Sequence, residues 1–77
     1  MKPLTAFEIH QAAIKQKLAD AKDFLKIGAR DDAIRLQREI ATMKFGGATP
    51  REVATLLRKV DSAVAEIGTV LDEVSAA

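Results

Sequence analysis

The chain holds one imidazole, two serines, eleven carboxylates and no cysteine, and those numbers bound the chemistry it can host. A catalytic histidine needs a nucleophile or a carboxylate held against it. No cysteine is present to serve His10 as a nucleophile, and Ser62 and Ser75 fall in a different helical segment with no activating motif around them. His10 is expected to be a boundary residue beside the apolar stripe that runs through Phe7 and Ile14. Without thiolates, a single imidazole cannot build a zinc site. Asp31 and Asp32 are adjacent, and neighbours on a helix point about 100° apart, so they do not converge on one ion. At a helix start they have a sufficient reason, because the helix dipole favours negative charge there. Gly46-Gly47-Ala48-Thr49-Pro50 lacks the GK[ST] ending of a phosphate loop and follows a helix where a strand is required. The residues point to no catalytic centre, no cofactor and no metal.

Charge offers a second kind of chemistry. Lys15, Lys22 and Lys26 share the polar face of the first helical segment, and Arg30, Arg35 and Arg38 continue nearby. These six are the candidate polyanion-binding residues. Glu8, Asp23 and Glu39 interrupt the field, no aromatic platform is present for stacking bases, and the formal net charge is only +1. Nucleic acid is therefore the less favoured partner. Thr49 to Leu57 resembles the first helix of many helix-turn-helix modules. Those need a turn and then a recognition helix. Here Arg58-Lys59-Val60 continues without a break into residues 61–77, which carry four acids and no base.

Three helical segments must position whatever surface matters. Thr5-Ala6-Phe7-Glu8 has the form of a capping box, with Leu4 and Ile9 placed as a hydrophobic staple. Phe7, Ile14, Leu18, Ala21 and Leu25 fall on one stripe, and Gly28 is the natural residue to end the helix. The spacing predicts a first helix over about 6–27. The second, about 31–45, opens on Asp31-Asp32, has its seam at Ala33, Leu36, Ile40 and Met43, and stops at Gly46-Gly47. Asp31–Arg35 and Asp23–Lys26 have the spacing of surface ion pairs. The third, about 50–75, opens on Thr49-Pro50-Arg51-Glu52, an N-cap, a Pro at N1 and a Glu at N3. Val53, Leu57, Val60, Val64, Ile67, Leu71 and Val74 follow at spacings of 4, 3, 4, 3, 4 and 3, a heptad-like seam.

Phe24, Gly28 and Ala33 sit where a tetratricopeptide-type helical hairpin carries an aromatic, a Gly and an Ala, so this stretch resembles such a hairpin. Asp20 stands where that repeat has an apolar residue, and no second copy follows. What the resemblance implies is hairpin geometry and not kinship.

The expected fold is all-α, an up-down-up three-helix bundle with helices of unequal length, in one domain over 1–77. At 77 residues a core supplies only a few kcal/mol. The middle helix is too short to cover its neighbours, so two apolar groups are expected to lack a partner. One is Leu4, Phe7 and Ile9; the other is Ile67, Val70, Leu71 and Val74. From these, Phe7, Ile9, Ile67, Val70, Leu71 and Val74 are the candidate interface residues, and Leu71→Asp is expected to abolish association while leaving the bundle helical. Residues 1–60 hold all 12 bases and seven acids, a balance of +5, against −4 for residues 61–77. A basic body with an acidic tail suits self-pairing. The functional expectation is a non-catalytic adaptor, inhibitor or assembly factor that binds another protein or itself as a homo-oligomer. The N-terminus lacks the apolar core of a signal peptide, no run approaches a membrane span, and the tail has no Lys, Arg or Trp to meet anionic lipid. A cytoplasmic location with no membrane partner is the corresponding expectation.

Overall fold

The computed structural model describes residues 3–76. Among them it has three α-helices and no strand: α1, Ala6–Lys26; α2, Arg30–Ala41; and α3, Pro50–Ala76. The starts of α1 and α3 follow the capping chemistry, whereas α2 follows Ala29 without a side-chain cap. The Thr5 hydroxyl accepts from the Glu8 amide at 3.2 Å while Glu8 Oε1 accepts from the Thr5 amide at 3.4 Å. Thr49 and Glu52 make the same reciprocal pair, at 3.2 and 2.9 Å. α1 ends in a Schellman motif: the Ala29 amide donates to Phe24 O at 2.8 Å and the Gly28 amide to Leu25 O at 3.3 Å, with Gly28 at φ +78°. That left-handed conformation is open to Gly and strained for other residues.

Each helix packs against both others, and the side-chain pairs fix their directions. As α1 rises from His10 to Lys17, its partners fall from Gly46 to Glu39, so α2 runs antiparallel to α1. Gly47, just before α3, lies against Ala6 at the start of α1 and Lys22 pairs with Glu66 further along both helices, so α3 runs parallel to α1, with an offset of 44 residues at that pair. The bundle is up-down-up. Its core joins Ile14, Ala21 and Leu25 of α1, Ala33, Leu36 and Ile40 of α2, and Leu56, Val60, Ala63, Ile67 and Leu71 of α3.

Two details differ from expectation. α2 stops at Ala41, four residues early: the Thr42 amide and hydroxyl both turn back to Arg38 O, and the Met43 amide reaches only Ile40 O. Met43 and Phe45, expected inside the helix, lie on the connecting segment and pack against the core from there. Non-helical chain advances up to about 3.3 Å per residue against 1.5 Å for helix. The connection 42–49 thereby reaches the N-terminal turns of α1 that a 12-residue helix cannot cover. A Cβ built on Gly47 would lie 3.1 Å from Ala6 Cβ, so the chain passes closely there, with Gly47 at φ +84°. The second difference is in α3. Leu56 and Ala63 are buried, whereas Leu57 is 49% exposed and Val53 and Val64 are half-buried. A straight helix drifts relative to a strict heptad, and the α1–α2 pair selects positions 56, 60, 63, 67 and 71 in place of the regular seam.

The radius of gyration is 13.6 Å, against about 11.5 Å for a compact chain of this length. The excess comes from α3, whose 27 residues span about 40 Å.

Candidate docking groove

The connection 42–49 closes the bundle along α1 and α2. His10 Nε2 lies 2.9 Å from Gly46 O, and its ring meets Phe45 edge-on, with centroids 5.3 Å apart. The imidazole is a clasp between α1 and the connection. Lys17–Glu39, at 3.4 Å, ties α1 to α2, and Gln37 Nε2 donates to Val64 O at 3.0 Å, tying α2 to α3.

The α1–α3 side is left open. A groove of about 430 Å³ runs between Gln11, Ile14, Lys15 and Leu18 of α1 and Thr55, Arg58, Lys59, Ser62, Ala63 and Glu66 of α3. Ile14 and Ala63 are buried at its floor and Leu18 is half-buried. Ala63 is small, and larger polar residues line the groove to either side of it. Lys15, Arg58 and Lys59 line the rim, and none of them forms an ion pair with a described residue. Glu66 is the one acid in the lining and is held by Lys22. The groove thus combines an apolar floor with positive walls. Among the described residues, no three His, Asp or Glu side chains are grouped to hold a metal ion, and no helix is long and apolar enough to cross a membrane.

The expected interface residues are not brought together. Ile67 is completely buried and Leu71 is 9% exposed, so both are core residues, not surface ones. The reason is the starting level of α3. The connection carries the chain to the foot of α1 before Pro50, so Lys26 stands level with Val70, and only about six residues, ~9 Å, project past α1. Leu71→Asp would place a carboxylate in the core and destabilise the bundle, so it does not isolate association. Phe7 and Val70 are half-buried against the core. Ile9 and Val74 are exposed, as are Leu4, Ile27 and Leu57. Ile9 stands on α1, Leu57 and Val74 are 17 residues apart on α3, and Leu4 and Ile27 lie just beyond the two ends of α1; single exposed apolar residues are ordinary.

The six expected polyanion contacts also divide. Lys22, Lys26 and Arg35 are ion-paired with Glu66, Asp23 and Asp32. Arg35 takes Asp32, three residues away, and not Asp31. Arg30 and Arg38 are exposed on α2, which contributes nothing to the groove. Only Lys15 stands in it. The cations beside it, Arg58 and Lys59, stand between Leu57 and Val60 of the regular seam and were expected only to continue the helix. The helical spacing of Thr55, Arg58, Ser62 and Glu66, off the apolar stripe, was the available signal. Comparison of the chain with protein-family models, characterised proteins and solved structures returned no match.

Proposed function

We propose that this protein is a non-catalytic protein–protein interaction module whose α1–α3 groove receives a helix. The observation that carries the reading is the groove itself: an apolar floor at Ile14, Leu18 and Ala63 beneath a rim of Lys15, Arg58 and Lys59. A helix that sets carboxylates against the rim and packs small or apolar side chains over the floor satisfies both features. Surface area supports the same reading. The accessible surface is 5,421 Å², whereas a compact monomer of 8.3 kDa exposes about 4,600 Å². The excess is close to the roughly 800 Å² that each partner contributes to a standard interface.

The test is a photo-crosslinking residue, benzoylphenylalanine, in place of Ser62 in the expressing cell. Adducts to polypeptide that disappear with Leu18→Glu, in a variant still helical by circular dichroism, are the expected result. Adducts to nucleic acid, or none, would overturn the reading. A polyanion contact is the second reading, favoured by the three unpaired rim cations. It requires retention on heparin at low ionic strength that falls steeply with salt.

A further inference from the structure

One exposed stripe of α3 has an internal symmetry that names the helix for this groove. Arg51, Thr55, Arg58, Ser62, Glu66, Thr69 and Glu73 follow one another at spacings of 4, 3, 4, 4, 3 and 4 residues, and all are exposed. At about 100° per residue they stay within an arc of roughly 80°. About Ser62 the positions are symmetric and the charges antisymmetric. Thr55 answers Thr69, Arg58 answers Glu66, and Arg51 answers Glu73.

We infer that the groove's occupant is α3 of a second copy, lying antiparallel about a two-fold axis at Ser62. This rests on the groove reading, since Thr55, Arg58, Ser62 and Glu66 all line the groove. Under that axis Arg58 meets the partner's Glu66, Arg51 meets the partner's Glu73, and each pair occurs twice because the contact is isologous. Glu66 keeps Lys22 on its other side, and 46% of its side chain remains accessible to a second cation. The threonines need no partner from across the interface. Thr55 Oγ1 donates to Arg51 O at 3.3 Å and Thr69 Oγ1 to Ala65 O at 3.0 Å, the same bond on both sides of the centre. Ser62, the small residue at the centre of the stripe, marks where the two helices would cross most closely.

The charge order is a poor one for an isolated helix. The last turn of α3 has no basic residue, and Asp72 and Glu73 face the negative end of its dipole. An antiparallel neighbour reverses that, placing the partner's Arg51 and its positive helix end beside them. Parallel pairing would set like charges together, so the stripe also selects orientation.

The chain has no cysteine, so single-cysteine variants report geometry without ambiguity. Ser62→Cys is expected to give a disulfide-linked dimer on mild oxidation, and Ala41→Cys, on α2, is not. Sedimentation equilibrium is expected to show a wild-type dimer at low ionic strength that dissociates toward ~0.5 M salt as the charges are screened. R51E/R58E and E66R/E73R should each associate at least about tenfold more weakly, and an equimolar mixture of the two should recover the dimer. A wild type that is monomeric at all salts, or a dimer indifferent to both charge reversals, would overturn the pairing. A monomeric wild type whose position 62 still crosslinks to another polypeptide would overturn this occupant and leave the groove reading standing.

Discussion

Two stripes run along α3 under different rules. The inner one, Leu56, Val60, Ala63, Ile67 and Leu71, is entirely apolar and buried. The outer one, from Arg51 to Glu73, is polar and exposed throughout and changes sign at its centre. The inner stripe serves the fold of one chain, where each buried side chain removes apolar surface from water. The outer stripe gives little to that fold. Of its four charges, Glu66 alone is ion-paired with a described residue, and its acidic end opposes the helix dipole. A pattern that does not stabilise the chain that carries it is informative about what lies outside that chain.

The contrast can be broken most severely from the inside. Ile67→Ala removes a completely buried side chain and is expected to cost about 2–5 kcal/mol, as much as a domain of this size has to lose. Chemical denaturation should show a chain largely unfolded without denaturant. A variant with wild-type stability would mean that the inner stripe is not the core. Phe45→Ala comes next. Phe45 is half-buried on the connection and meets the His10 ring edge-on, so a loss of about 2 kcal/mol is expected, below the 3–5 of a fully buried Phe. Amide exchange should rise at residues 42–49 and in the first turns of α1, leaving the middle of α3 protected.

Thr49→Ala tests a helix end shared by both stripes, and removing the cap should cost ~1 kcal/mol with no change in association. The smallest effect separates the stripes most sharply. Glu73→Lys should raise monomer stability by a fraction of a kcal/mol, because it places a cation at a helix C-terminus, yet it should weaken self-association. Thermal unfolding and sedimentation would then move in opposite directions. If both rise or both fall, Glu73 does not belong to an intermolecular surface.

Much of the fold was legible because it rests on local chemistry. The two Thr–Glu capping boxes, the Gly28 stop and the apolar spacing each act within a few residues, and the helix bounds of α1 and α3 came within one residue of those expected. The end of α2 was not legible. Met43 and Phe45 fit a helical stripe as well as they fit an extended strap, and only the uncovered foot of α1 decides for the strap. The groove was less legible still. Its floor and walls come from residues more than 30 positions apart, and Arg58 and Lys59 gain meaning only beside Lys15.

The amino-acid sequence by itself determined the number of helices, the capped starts of α1 and α3 and the absence of bases from the last quarter of the chain, since caps, periodicity and charge order are one-dimensional properties. The tertiary structure alone decided which of two adjacent leucines entered the core. Leu56 and Leu57 differ by about 100° around the helix, and a periodicity that admits either is resolved only by the positions of α1 and α2. For the same reason it decided that Ile67 and Leu71 are interior residues, and that the open side of the molecule lies between α1 and α3.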